Sequence, residues 1–217
     1  MSFLDLSHTI EHGMVTYPGL PGPIICDYLS RKDSRARFAE GVEFQIGKIE
    51  MVANTGTYID APFHRYPDGE DIAGLRLEAL ANLDAVVIHG PDDGSRAIDW
   101  TAFDGRELRG RAVLVRTGWD ARWGTPAYLA NNPFLTAAAA EYLVGQGVAL
   151  VGVDSLNIDD IGDLARPVHS VLLGAEIPIV EHLCNLGSLP EHGFRFSAVP
   201  PKVVGFGSWP VRAFAVL

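Results

Sequence analysis

Cysteine is nearly missing from this sequence. The two that occur, Cys26 and Cys184, stand far apart and outside any paired metal-binding motif, which leaves no disulfide framework and no cysteine-based zinc site. Basic charge is also short: 17 Lys and Arg stand against 27 Asp and Glu, a formal net charge of -10 over 217 residues. Nucleic acid and anionic membranes call for clustered cations, so neither is expected as a partner. No uncharged apolar run is long enough to cross a bilayer. Residues 1–6 carry no basic stretch leading into an apolar one, so no signal peptide is expected and the expected location is cytoplasmic. Repeats, low-complexity tracts and linkers are missing too, and one domain over 1–217 is the expectation. A hydrophobic fraction of 47% beside 20% charged residues then provides for a sizeable core.

The chain is organised around residues 53–65, Ala-Asn-Thr-Gly-Thr-Tyr-Ile-Asp-Ala-Pro-Phe-His-Arg. Before it, Ile49, Met51 and Ala53 alternate with Lys48 and Glu50, a period of two that predicts a half-buried strand. If that strand runs on through Asp60, then Asn54, Tyr58 and Asp60 share one face, with Gly56 leaving room above the backbone. Pro62 has no N–H and should end the pairing, which puts His64 just past the strand end. Any one such polar residue is more often a solvated strand face than a site. The set, next to Gly and Pro at a strand end, points to a site.

Along the rest of the chain, residues 3–10 read as a first strand, with His8 as a hydrogen-bonded structural histidine. Residues 11–23 hold three Gly and three Pro and form a loop. Tyr17 within it either packs the loop or offers a flat wall to a planar substrate. Residues 31–41 are charged and predict a mobile flap. Buried strands are predicted at 84–89, 112–117, 148–153 and 177–180. A helix is predicted over 136–144, closed by Gly145, and a short one from Pro167 through Leu173 that carries His169. The tail from Arg195 alternates and should supply closing strands. Strands outnumber helices, which predicts a mixed α/β fold with a largely β core and flanking helices.

Asp60, His169 and Glu181 thus fall at strand ends or on a helix face. Two carboxylates and an imidazole can hold Zn or Mn with a position open to water, although spacing alone does not make them a metal site. Arg65 beside His64 offers a bidentate match to a substrate carboxylate, but a salt bridge to Asp68, Glu70 or Asp71 is the expected role. His182 is a spare imidazole beside Glu181, placed to support either the metal or the acid/base step, and Cys184 is expected as a small buried hydrophobe.

Thr55-Gly56-Thr57, Asp60-Ala61-Pro62 and His64 resemble the signature of the cyclase family, which includes kynurenine formamidase and isatin hydrolase: His-x-Gly-Thr-His-x-Asp-x-Pro-x-His. The resemblance extends through Asp5-Leu6-Ser7-His8, Tyr17-Pro18-Gly19, Arg116-Thr117-Gly118-Trp119, Gly152-Val153-Asp154-Ser155, His169, Ile179-Val180-Glu181, Lys202-Val203-Val204-Gly205 and Pro210-Val211-Arg212-Ala213. It implies a swivelling β/β/α fold, a homo-oligomer (dimer or tetramer) and a small-molecule substrate. It also implies Asp60, His169 and Glu181 as metal ligands, with His64 the catalytic histidine working beside Asp60. Tyr17 falls near a substrate-contacting aromatic of the family.

The sequence departs from the signature at two positions. Asn54 and Tyr58 stand where histidines are expected. A carboxamide is a poor ligand for Zn, and a phenol must lose a proton with a pKa of about 10 to bind well. The two changes dismantle one metal position and turn Asn54, Tyr58 and Tyr17 into substrate-binding candidates. The expectation is at most one divalent metal, Zn or Mn, with a metal-free site as the alternative. The leading function is hydrolysis of a non-peptide C–N bond in a small amide, formamide or lactam. A metal-independent hydrolase or lyase using His64 and Tyr58, and a non-catalytic small-molecule binder, are the alternatives.

Overall fold

A computed structural model describes residues 1–91 and 93–217. In chain order the strands are β1 (Phe3–Asp5), β2 (Ile24–Leu29), β3 (Ile46–Glu50), β4 (Tyr58–Asp60), β5 (Leu83–His89), β6 (Ala97–Ile98), β7 (Ala112–Arg116), β8 (Phe134–Leu135), β9 (Leu150–Val153), β10 (Ile179–Glu181), β11 (His192–Ser197), β12 (Ser208–Pro210) and β13 (Phe214–Val216). The α-helices are α1 (Arg31–Ser34), α2 (Ala137–Gln146) and α3 (Pro167–Gly174). Nine strands form one sheet in the order β1-β13-β11-β5-β7-β9-β10-β4-β12. Its centre, β5-β7-β9-β10, is parallel, and every other pairing in it is antiparallel. The mixed α/β, largely β architecture expected from the strand count is the one observed.

Both faces of the central strands are apolar because both are covered. Leu83, Ala85 and Val87 of β5, Ala112 and Leu114 of β7, and Ile59 of β4 face one core with Phe194, Phe196 and Ala215. Val86, Ile88, Val113, Val115, Val151 and Ile179 face the other, beneath Leu143 of α2 and Val168, Leu172 and Leu173 of α3. At the middle of the sheet Gly152 lets Leu114 and Leu183 meet over its backbone. A Cβ there would come within 2.7 Å of Leu183 Cδ1 and 2.9 Å of Leu114 Cδ2.

Several boundaries differ from the sequence expectation. The predicted half-buried strand through residue 60 is two unconnected strands. β3 pairs only with β2 in a separate ribbon, and all five of its residues are exposed, whereas β4 is wholly buried between β10 and β12. Gly56 lies in the irregular segment between them with a φ of +67°, so left-handed backbone is what requires glycine there. The 31–41 flap contains α1 and a 3-10 turn at Arg35–Arg37. α2 runs through Gly145 and is capped by Gly147, because Gly147 takes the left-handed φ of +68° that closes a helix. The first strand stops at Asp5, beyond which the chain makes one bridge, Ser7 to Leu183.

Gly152→Ala should destabilise the protein by about 1–3 kcal/mol, because two leucine side chains must give way for one methyl group. Chemical denaturation of the variant against the parent checks this.

Candidate active site

β4 is bonded on both edges, and the two registers place its polar residues. Glu181 of β10 lies opposite Tyr58, and Ser208 of β12 lies opposite Asp60. Tyr58 and Asp60 are two apart, so both pairs come to the same face, away from Ile59 and its core. The Tyr58 hydroxyl donates to Glu181 Oε2 at 2.5 Å, and Ser208 Oγ donates to Asp60 Oδ1. Having spent its one proton, Ser208 Oγ accepts from Asn54 Nδ2 at 3.3 Å and from His64 Nδ1 at 3.0 Å. Pro62 opens a 3-10 turn, Pro62–His64, that folds His64 back to within 4.0 Å of Asp60. Gly207 makes that return fit, since a Cβ there would collide with the His64 backbone.

α3 supplies the third side. The Asp159 carboxylate accepts from Val168 N and His169 N, which fixes the start of the helix, and Asp159 Oδ2 also holds His169 Nδ1 at 2.6 Å. That contact turns His169 Nε2 inward, to 3.6 Å from Asp60 Oδ2 and 3.7 Å from Glu181 Oε1. Glu181 Oε1 is steadied by Ile158 N at 2.7 Å. Asp60 Oδ2 is fully buried and has no hydrogen-bond partner.

The electrostatics follow from burial. Burial pulls His169 down, but Asp159 at its Nδ1 and the nearby carboxylates of Asp60 and Glu181 outweigh it and raise the imidazole to about 10. Burial raises Glu181 to about 7, against the opposing pull of His169. Burial, followed by the charges of Glu181 and Asp60, raises Tyr58 well above the ordinary phenol value, so it stays a neutral donor. The carboxylates call for a cation at His169 Nε2, and either a proton or a metal ion answers that call.

The ligand set expected from the sequence can be tested on these contacts. Asp60 Oδ2, which has no hydrogen-bond partner, and Glu181 Oε1 lie 3.6 and 3.7 Å from His169 Nε2, and Asp159 orients that histidine as a metal ligand's outer partner does. Among the described residues, the group whose ligand atoms all lie close enough to share an ion is Asp60, His64 and His169, without Glu181. Asn54 and Tyr58 do not fit a second ion. The phenol proton occupies Glu181 Oε2, and the Asn54 amide turns its NH₂ toward Ser208.

A cavity of about 420 Å³ opens on this cluster, lined by Tyr17, Pro18 and Leu20 on one side and by Asn54, Tyr58, His64, His169 and Glu181 on the other. Tyr17, Asn54, Tyr58, His64, His169 and Glu181, the site residues expected from the sequence, thus line one cavity, with Asp60 buried beside His64 and His169. Ser208, Asp159, Asn157 and Arg166 were not singled out. Two expected roles are overturned. His182 follows Glu181 with a φ of +57° and faces away, its Nδ1 against the Tyr128 hydroxyl at 2.8 Å, and burial lowers it to about 3. Arg65 forms no ion pair with Asp68, Glu70 or Asp71. The Asp71 carboxylate is taken by the Gly74 and Gly205 amides, and Arg65 Nε donates to Ser170 Oγ. His8 also differs from the hydrogen-bonded histidine expected: its ring stacks on Trp123 and its buried Nε2 has no partner. Tyr58→Phe should cost about 1–3 kcal/mol, because Glu181 Oε2 loses its short donor in a buried place. Denaturation of the folded variant checks it.

The model of the putative cyclase family matches residues 4–160 of this chain. A kynurenine formamidase from Geobacillus thermodenitrificans (strain NG80-2) is 29% identical over 213 residues, covering 97% of this chain and 95% of the relative. Isatin hydrolase A from Labrenzia aggregata, bound to benzyl benzoate, superposes with a TM-score of 0.81 at 25% identity, over 99% of this chain and 93% of that one. A protein described as a predicted metal-dependent hydrolase from Bacillus stearothermophilus superposes with a TM-score of 0.76 at 25% identity, over 99% and 97%. The superpositions show that this chain has the fold of these proteins. The chain belongs to the putative cyclase family.

Proposed function

We propose that this chain hydrolyses a non-peptide C–N bond in a small amide, formamide or lactam, using one divalent ion. The observation that carries this reading is the convergence of Asp60 Oδ2, His169 Nε2 and Glu181 Oε1 beside a cavity that also exposes His64. The names of the relatives, a formamidase and an isatin hydrolase, support the bond type. An ion held by those three residues would lower the pKa of bound water to about 7 and polarise a carbonyl.

The chain's own residues do the rest. His64 gives its Nδ1 proton to the Ser208 oxygen, which leaves Nε2 as the basic nitrogen. Nε2 takes a proton from the attacking water and returns it to the leaving nitrogen. Asp60 holds its charge beneath His64 and favours the imidazolium formed in between. Tyr58 and Asn54 fix Glu181 and Ser208, and through them the positions of the ligand oxygen and the base. Tyr17 and Leu20 give the substrate an apolar wall.

Elemental analysis of protein purified without added metal or chelator should find at most one divalent ion per chain. His169→Ala should lose it, and Asn54→His with Tyr58→His should raise the content toward two. Two ions in the parent chain, or none after metal reconstitution, would sink the one-ion site.

His64→Ala should lower kcat on a turned-over amide by about 10²–10⁴-fold while the fold and the metal are retained. Loss of metal along with activity would make His64 a ligand, and full activity in the folded variant would remove it from the reaction.

A further inference from the structure

Two guanidinium groups line the cavity, and neither meets a carboxylate. Arg65 follows His64, is exposed, donates through Nε to Ser170 Oγ at 3.1 Å and lies 5.3 Å from the Tyr66 ring. Arg166 reaches the same cavity from the start of α3. It is half-buried, and its two terminal nitrogens donate to neutral oxygens, the Asp160 carbonyl at 3.0 Å and the Tyr17 hydroxyl at 3.0 Å. The Asp160 carboxylate is bonded by Arg96 at 3.0 Å, and the Arg166 charge reaches it only from a distance. Neither Arg65 nor Arg166 forms an ion pair among the described residues.

A half-buried guanidinium held by neutral dipoles keeps its charge and its remaining N–H donors for something else. Asp160 is shared with Arg96, which bonds it directly, so the Arg166 charge is only partly balanced within the chain. Arg166 also sits at a φ of +49°, a backbone conformation that a side chain without β-branching tolerates only at some cost. The bond to Tyr17 ties the arginine to a loop 149 residues away, so the cationic end and the apolar wall of the cavity form one surface. The fully buried Glu181 and Tyr58 lie at the floor, and the more accessible arginines lie toward the mouth.

Resting on the hydrolase reading, we propose that the substrate is a small amide or lactam that carries a carboxylate, and that Arg166 and Arg65 bind this carboxylate. The anionic end lies at the arginines, the flat or apolar body against Tyr17 and Leu20, and the C–N bond at the floor beside His64. Planar guanidinium groups with free N–H pairs match a carboxylate bidentately, which a neutral ester or amide at the same position cannot reproduce. The arginines act in binding, away from the reacting atoms.

The test is a titration of the whole protein with benzoate and phenylacetate against their methyl esters, read by calorimetry without turnover. The acids should bind about tenfold or more tightly than the esters. Arg166→Gln and Arg65→Gln should each remove most of that preference and leave ester affinity in place. Tyr17→Phe, which removes the hydroxyl and leaves the guanidinium, should keep it. Arg65 is exposed, so its variant stays informative if Arg166→Gln proves unstable. Acids that bind no tighter than esters would overturn the proposal. So would a preference that survives both arginine changes, which would assign the carboxylate to a metal or another cation. The hydrolase reading fails separately. A chain that selects the acids through its arginines yet cleaves no amide loses only that reading, and one that cleaves neutral amides without selecting acids loses only this proposal.

Discussion

The Tyr58 hydroxyl lies 2.5 Å from Glu181 Oε2 because β4 and β10 pair in a register that sets these two residues opposite each other. The same pairing puts Ile59 beside Val180, both of them in the apolar core. A slip of β4 by one residue would turn Tyr58 and Asp60 into that core, away from Glu181, and push Ile59 out of it. Hydrophobic packing on one face therefore enforces the polar geometry on the other. β12 repeats the device on the second edge of β4, where Trp209 pairs with Ile59 and Ser208 with Asp60. The placing of Tyr58, Asp60 and their partners Glu181 and Ser208 depends on this doubly fixed strand of three residues.

Charge in the site is balanced by substitution of one positive species for another. Where the family signature has a histidine, this chain has a phenol whose proton bonds Glu181 Oε2. A proton shared between two oxygens does locally what an ion between ligands would do, with a smaller charge and no exchange with solvent metal. The second cluster, Asp60 with Glu181 and Asp159 around His169, retains the need for a full cation. On the proposed reading, one position is filled by a proton while its neighbour is left for a divalent ion.

Much of the site could be read from the sequence because its residues sit where local signals are strong. Asp60 and His64 flank Pro62, His169 follows Pro167 on a helix, and Glu181 ends a β-branched run. The missing members had no such signal. Ser208 is 148 residues from Asp60 and reaches it only through strand pairing, which a single sequence does not encode locally. Asp159 acts by capping α3 from ten residues upstream of His169, inside a loop rich in Asp and Asn where any carboxylate looks alike. The fold was legible in its central strands, where four apolar runs had to be buried. It was misread at residues 46–60, because alternation between apolar and charged side chains marks a pleat and says nothing of whether either face is covered.

The β2–β3 ribbon is the part of the molecule most at odds with water. Ile24, Ile25 and Tyr28 on one strand and Ile46 and Ile49 on the other are all exposed, and the ribbon joins no other strand. In dilute buffer the net charge of -10 makes two copies repel before these side chains can touch. Added salt shortens the range of that repulsion to about 10 Å at 0.1 M and leaves the apolar attraction intact. Sulfate and phosphate strengthen the attraction further. Ionic strength should therefore draw its copies together, the inverse of what a contact made of ion pairs would do.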